Sequence, residues 1–260
     1  MKLLSFIALF LLILPLVAQT RQNGIIDMDG ESFAPANENE KAELTFARFH
    51  YDLGDEFGSF RFERWAADYP KADRQLIPGI KRLTRIQVRS TEEVVDANTD
   101  DIYNWPWIYV EDPGAWHVTE PQAARLREYI LRGGFIMFDD THGDYEWQNF
   151  VDGLREVFPD RPIEDLQDGD ELFHVVYDLT DRVQVPGTRY IWGSRRYTPD
   201  SAVPKFRAIR DDKGRIIVAI CHNSDVGDAW EWADSPEYPE RPAGFAYRLA
   251  VNYIIYGMTH

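Results

Sequence analysis

Residues 119–140 read TEPQAARLREYILRGGFIMFDD, and they carry the strongest fold signal in the chain. The first half is a helix pattern, in which Thr119 is a suitable N-cap and Glu120 and Pro121 suit the first turn. Apolar spacing places on one side of this helix Ala124, Leu126, Tyr129, Ile130 and Leu131. The segment therefore predicts an amphipathic helix over 119–132.

A buried strand is predicted directly after this helix. Gly133 and Gly134 end the helix, and the apolar run Phe135–Phe138 leads into two aspartates. A second short apolar run, Trp107–Val110, precedes the helix. The order strand, helix, strand is typical of a βαβ unit in a parallel sheet, so the fold class is α/β with helices flanking a mostly parallel sheet.

Other segments extend this pattern through the rest of the chain. Strand-like alternation occurs over Leu44–Tyr51, and helical spacing occurs over 73–84, 146–158 and 245–256. The pair Phe206–Arg210 and Arg215–Cys221 flanks the turn sequence DDKG, which predicts a β-hairpin.

The N-terminus reads as an export signal. Lys2 precedes an apolar run over 3–14, Pro15 breaks the run, and Ala18 suits the position before the cleavage site. We expect a signal peptide at 1–18, a polar linker at 19–41 and one domain at 42–260. We therefore expect the protein to be secreted or periplasmic, with no stable membrane span after cleavage. The alternative is that the apolar segment is retained as an uncleaved membrane anchor.

Composition excludes several classes of function. The formal net charge of −16 disfavours nucleic-acid binding. The single cysteine, Cys221, leaves no internal disulfide, and its place at the end of an apolar strand predicts a buried thiol. The chain has no phosphate-binding loop, dinucleotide fingerprint, nucleophile elbow or zincin motif, so those chemistries have no support.

Polar residues follow the predicted central strand. Asp139, Asp140 and His142 stand at its carboxyl end, where ligands bind in open parallel sheets, and Glu111 follows the neighbouring strand. Such groups hold a metal, polarise a water or grip sugar hydroxyls. The alternative is that an aspartate caps the next helix and His142 is a loop residue.

A second candidate loop, CHNSDVGDAWEW, follows the strand that ends at Cys221. It combines Asn223, Asp225, Asp228 and Trp230, a mixture of acidic and aromatic groups suited to carbohydrate or another polar ligand. An ordered loop bonded to its own backbone is the alternative.

Two further segments are weaker candidates. His174 lies among apolar residues, where a core role is the more common one, although it could reach the same cleft from its connecting segment. The segment Trp65–Pro70, followed by Asp73, is interpreted as a structured loop that caps the next helix. The catalytic candidates are thus Asp139, Asp140, His174 and Asp225, and no metal ligand set or cofactor is assigned.

The runs GGFIMFDD, YEWQNFVDGLREVFPDRPIEDL, LFHVVYDL and DDKGRIIVAICHNSDVGDAWEW resemble a bacterial family known as domain of unknown function 4159, over most of 44–260. The resemblance implies a single flavodoxin-like domain, related to class I glutamine amidotransferases and ThuA-like proteins. Amidotransferases carry a nucleophilic cysteine after a strand, whereas here Asp139-Asp140 follows that strand and Cys221 lies elsewhere. At Thr141-His142 the chain departs from the aromatic pair expected in the family.

Two functions are consistent with these observations. The first is a non-catalytic binding or scaffold module for a polar, saccharide-like or cell-envelope ligand, acting in an envelope protein complex. The second is a hydrolase that acts on a carbohydrate or envelope substrate through Asp and His residues. Binding is preferred because no pair of nucleophile and base is visible in the sequence.

Overall fold

The computed structural model describes residues 40–54 and 63–260. The predicted signal peptide at 1–18, and all but the last two residues of the predicted linker at 19–41, lie outside the described residues. Within the described ranges, none of the helices combines the length and the apolar character needed to cross a membrane.

Six α-helices and nine β-strands are found in the described ranges. The helices are α1 (Lys71–Leu83), α2 (Glu120–Leu131), α3 (Gly143–Val157), α4 (Thr188–Ile191), α5 (Val226–Glu231) and α6 (Glu240–Thr259). The strands are β1 (Ala47–Phe49), β2 (Asp52–Leu53), β3 (Glu93–Val95), β4 (Trp107–Val110), β5 (Trp116–His117), β6 (Phe135–Thr141), β7 (Glu164–Asp165), β8 (Lys205–Arg210) and β9 (Ile216–His222).

Seven of these strands form one sheet in the order β3-β1-β4-β6-β9-β8-β7. Strands β3, β1, β4, β6 and β9 are parallel, while β8 and β7 add an antiparallel edge. Counted along the chain, the five parallel strands have the order 2-1-3-4-5 that is characteristic of flavodoxin-like sheets. The predicted α/β class and mostly parallel sheet are confirmed.

Helices cover both faces of this sheet. Alternate residues of each strand point to opposite faces, so Trp107 and Tyr109 join a core with α1, α5 and α6, while Ile108 and Val110 join a core with α2 and α3. Burial of both faces explains why the central strands are continuous apolar runs.

The predicted βαβ unit is confirmed, with one correction on the surface of its helix. Thr119 and Gln122 form a capping box at the start of α2, and Gly133 ends it with φ of 99°. Leu131, assigned to the apolar side, is 76% exposed, and Ala124 is also exposed, because the buried stripe runs through Ala123, Leu126 and Ile130. The predicted hairpin forms between β8 and β9, and Cys221 is a buried free thiol.

This topology determines where the site lies. Strands β4, β6 and β9 are neighbours and run parallel, so the residues that follow their carboxyl ends share one edge of the sheet. Glu111 and Asp112 follow β4, and the 223–228 segment follows β9. The edge adjoins the gap between β1 and β4, where the strand order reverses and open α/β sheets bind ligands.

Candidate functional site

Five carboxyl groups converge at this edge. One oxygen from each of Glu111, Asp139 and Asp225 lies within 4.8 Å of the other two, and the same holds for Asp68, Asp225 and Asp228. Glu111 and Asp139 have no exposed surface, and Asp225 and Asp228 are 7% and 5% exposed. We call these five residues the acidic cluster.

Unusual backbone conformations surround the acidic cluster. Among the described residues, the non-glycine positions with positive φ are Asp68, Asp112, Asp140 and Asn223, with values of 61°, 45°, 56° and 60°. Asp and Asn tolerate this left-handed region better than other side chains, and strained backbone concentrates at functional sites. Three of these residues stand at the carboxyl ends of β4, β6 and β9, and the fourth precedes α1.

Asp139 is held by the start of α5. Its Oδ2 accepts hydrogen bonds from the backbone N–H groups of Val226 and Gly227, at 2.6 and 2.9 Å, and contacts the Tyr109 hydroxyl at 2.9 Å. The pairing of β6 with β9 shifts register between Phe138 and Thr141, a bulge that falls on Asp139 and Asp140. The other oxygen, Oδ1, is buried and has no hydrogen-bond partner among the described residues.

Glu111 shares the Tyr109 hydroxyl with Asp139. The hydroxyl oxygen contacts Glu111 Oε2 as well as Asp139 Oδ2, yet a hydroxyl carries one proton and can donate to one of them. The second contact requires a proton on one of the two carboxyl groups. Glu111 Oε1 is buried and, like Asp139 Oδ1, has no partner in the described chain.

Two glycines permit the close approach of these groups. A Cβ at Gly227 would lie 2.6 Å from Asp68 Oδ2, 2.8 Å from Glu111 Oε2 and 2.9 Å from the Tyr109 hydroxyl oxygen. A Cβ at Gly187 would clash with Asp225 Oδ2. Glycine at both positions therefore leaves room for the carboxyl groups to converge.

A buried ion pair fixes the loop that carries Asp68. The Arg48 guanidinium bonds both carboxylate oxygens of Asp73 and donates to the backbone oxygens of Trp65 and Ala67, at 3.2 and 2.9 Å. Neither charged side chain has exposed surface. The interaction joins β1 to the 65–67 turn and to α1, so Asp68 is held over the end of the sheet.

The acidic cluster brings several like charges together at low exposure. The nearby Arg64 pairs with Asp112 and Glu146, which lie outside the cluster. Burial, followed by the charges of neighbouring carboxylates, raises the pKa of Glu111, Asp68 and Asp225 well above its ordinary value. The same causes raise the pKa of Asp139 to about 7.

An Asp–His pair lies beside the acidic cluster. His142 Nδ1 is 2.9 Å from Asp140 Oδ1, and the two side chains are 6% and 13% exposed. Burial opposes the charged imidazolium, but the hydrogen bond and charge of Asp140 raise the pKa of His142 on balance. His142 Nε2 is buried and has no partner in the described parts of the chain, so this nitrogen is free to meet a ligand.

Other sequence-predicted candidates have different roles. Asn223 uses its side chain to join β9 to the 200–203 segment and to α3, through Asp200, Val203 and Gly143. Trp230 is fully buried against Phe46 and Tyr109, so it supports the site as core and does not face a ligand.

His174 lies away from the acidic cluster. Its ring contacts Asp178 and the backbone oxygen of Asp168, and the preceding Asp170 pairs with Arg210 at the end of β8. Because β8 is antiparallel to β9, its end lies at the opposite edge of the sheet. The expectation that His174 reaches the cleft is therefore corrected.

Sequence reasoning missed Asp68 and Tyr109. Asp68 was assigned to a capping loop, and Tyr109 was part of an apolar strand. The sequence Asp68-Tyr69-Pro70 does not follow a predicted strand, so nothing places it at the edge of the sheet. Strand alternation does not show which group the hydroxyl of a buried tyrosine will contact.

Comparison with known families identifies one relationship. The family model described as "Domain of unknown function (DUF4159)" matches residues 45–258, which is most of the chain and all elements of the site. A comparison with curated proteins found no match.

Proposed function

Since the chain belongs to the DUF4159 family, which is described as a domain of unknown function, its role has to be inferred from its own site, and we propose that this site binds a divalent metal ion. The observation that supports the proposal is a pair of buried oxygens inside the acidic cluster, Glu111 Oε1 and Asp139 Oδ1, that have no hydrogen-bond partner among residues 40–54 and 63–260. Buried polar atoms normally have partners, and buried charges are normally paired or coordinate a metal.

The donor set favours a hard cation. Carboxylate oxygens are the preferred ligands of Ca²⁺, Mg²⁺ and Mn²⁺, whereas softer ions prefer imidazole and thiolate ligands. Ligands of one Ca²⁺ lie at most roughly 5 Å apart, twice the usual bond length, which agrees with oxygens within 4.8 Å of one another. Asp225 belongs to both groups of the acidic cluster, so it is placed to bridge two ions if both bind.

We expect Ca²⁺, Mg²⁺ or Mn²⁺ to raise the melting temperature of chelator-treated protein, because a ligand that binds only the native state stabilises it. Asp68→Asn and Glu111→Gln should abolish this response and also raise the stability of the metal-free protein. Each substitution removes one of several like charges buried together. Asn also tolerates the left-handed conformation at position 68. Thermal unfolding with and without each ion measures both effects.

Asp160→Asn is the matched control, because Asp160 is an exposed carboxylate distant in sequence from the acidic cluster. It should leave both the ion response and the metal-free melting temperature unchanged. If Asp68→Asn and Glu111→Gln lower metal-free stability and leave the ion response intact, the acidic cluster is structural and the proposal is wrong.

The cellular setting of the site is proposed from the N-terminus. An exported domain that binds a polar or saccharide-like ligand in the cell envelope agrees with the signal pattern at 1–18. We expect N-terminal sequencing of the mature protein to begin near Gln19. A product that retains Met1 in the cytoplasm would contradict export while leaving the metal proposal untouched.

Hydrolysis is a second candidate function, and the Asp140–His142 pair favours it. A carboxylate orients this histidine through Nδ1, and Nε2 has no partner within the described part of the chain, which is the arrangement of a general base or acid. Its position beside the proposed metal site suits the activation of a water molecule. Sequence reasoning named Asp140 and His142 as separate candidates and did not predict that they form a pair.

A further inference from the structure

A cationic, aromatic segment borders the acidic cluster. In a protein with net charge −16, residues 182–199 contain no Asp or Glu and include Arg182, Arg189, Arg195 and Arg196. We call the part over 188–197, which reads TRYIWGSRRY, the basic strap. A positively charged segment beside a buried acidic cluster is typical of a surface that binds an anion.

The basic strap is anchored on both sides of the site. At its start, the N–H and hydroxyl of Thr188 donate to Asp228 Oδ2 at 2.6 and 3.0 Å, so its first residue touches the acidic cluster. Just after its end, Asp200 accepts from the N–H of Asp144, and its backbone oxygen accepts from Asn223. The strap is therefore held between the segments that follow β6 and β9.

Arg189 is the cation of the strap nearest these anchors in sequence. It is exposed, and no residue in the described ranges forms a hydrogen bond or close ion pair with it. It directly follows Thr188, and its charge acts on Asp140, Asp225 and Asp228. This distinguishes it from Arg64, whose guanidinium is already paired with Asp112 and Glu146.

Polar groups without partners also lie next to the strap. The Tyr190 and Tyr197 rings stack at 3.9 Å, and the His142 ring centroid is 5.3 Å from that of Tyr190. His142 Nε2 and the Tyr197 hydroxyl are both buried without a hydrogen-bond partner in the described residues. The Arg189 charge and the His142 ring both act on Asp140, and Tyr197 stacks on the tyrosine that contacts His142, so the three side chains border the same part of the site.

We propose that the basic strap and the metal ion together bind the phosphate group of a phosphate ester. This rests on the proposed metal site, because five carboxyl groups gathered in one cluster repel an anion until a cation binds among them. A phosphate group offers three terminal oxygens to the ion, Arg189 and the two unpartnered groups, whereas a carboxylate offers two. The adjacent tyrosines provide apolar surface for the organic part of the ester.

The test asks whether Mg²⁺ and phosphate bind cooperatively to the whole chain, and isothermal titration calorimetry measures their binding. Inorganic phosphate and glucose 6-phosphate should bind at least about tenfold more tightly with saturating Mg²⁺ than in chelator, because coupling between two ligands is reciprocal and commonly of this size. Arg189→Gln should remove most of the gain. The stabilisation of the Arg189→Gln variant by Mg²⁺ alone should not be smaller than that of the wild type, since the substitution removes a positive charge near the metal site. Arg155→Gln, an exposed arginine near the far end of α3, is the matched control and should behave as wild type.

Several outcomes would overturn the proposal. Phosphate binding that is equally strong without Mg²⁺, or that is unchanged in Arg189→Gln, contradicts the joint site. Glucuronate binding as tightly as glucose 6-phosphate contradicts the preference for phosphate. If Ca²⁺, Mg²⁺ and Mn²⁺ all fail to stabilise the wild type, the metal site itself fails. If an ion stabilises it and phosphate adds nothing, the inference about the strap alone fails.

Discussion

Arg48→Met should lower the free energy of unfolding by about 3–5 kcal/mol, the usual effect of breaking a buried ion pair. The substitution leaves the Asp73 carboxylate with no exposed surface and without its guanidinium partner. It also leaves the backbone oxygens of Trp65 and Ala67 without their donor. For a domain of this size the loss corresponds to a melting temperature lower by roughly 10 °C. Urea unfolding measures it directly.

A double variant separates the ion pair from the position of the loop. Arg48→Met with Asp73→Leu removes both charges, and it should recover part of the lost stability, because apolar replacement of a whole buried pair is often tolerated. Stabilisation by added metal ion should be weak in both variants. The backbone oxygens of Trp65 and Ala67 still lack their hydrogen-bond donor, so Asp68 is no longer held over the sheet. Arg155→Gln breaks an exposed pair and should cost less than about 1 kcal/mol. Wild-type stability in Arg48→Met would contradict this role of the pair.

The fold was predictable from the sequence because its signals are local. Residues 119–140 contain a capped helix, a glycine stop and a buried strand, and each can be recognised from neighbouring residues alone. The strand order could not be derived in this way, since parallel pairing joins segments that are distant in the chain.

The site was predictable to the extent that it follows from strand ends. Asp139 lies near the end of β6, while Glu111, Asp225 and Asp228 follow β4 and β9, and these three strands are parallel neighbours, so the expected convergence occurs. Asp68 arrives from a crossover loop fixed by Arg48, and that contact joins residues 25 positions apart through a buried guanidinium. His174 was placed at the wrong edge because the antiparallel edge reverses the chain, and local sequence does not reveal this.

Metal-free protein should lose stability as pH rises from about 5 to 8. Burial, then neighbouring carboxylates, raise the pKa of Asp139 from 3.8 to about 7, and Glu111, Asp68 and Asp225 shift in the same direction. An acid whose pKa is raised in the folded state stabilises the fold fully below its unfolded pKa, and this stabilisation is lost as pH passes the folded value. A shift of this size on Asp139 alone corresponds to roughly 4 kcal/mol over the whole interval from pH 3.8 to about 7, and to about half of that between pH 5.5 and 8.

A bound cation should remove this loss. With saturating Ca²⁺ or Mg²⁺ the carboxylates are ionised ligands, so protonation competes with the ion and stability should rise with pH over the same range. Charged and titratable groups that act on the acidic cluster include Arg48, Tyr109, Asp140, His142, Arg189, Tyr197, Glu231 and Tyr238. None of these reverses the expected sign, since Glu111, Asp68 and Asp225 still have raised pKa values. His222 acts in the opposite direction, because burial and the Arg207 charge lower its pKa from 6.5 to about 3, but it is one group against four carboxyl groups. Urea unfolding at pH 5.5 and 8, in metal-depleted buffer and with added ion, gives the four free energies to compare. Metal-free stability that increases over this interval would mean that the carboxyl groups are already ionised and compensated, and that the acidic cluster has no need of a cation.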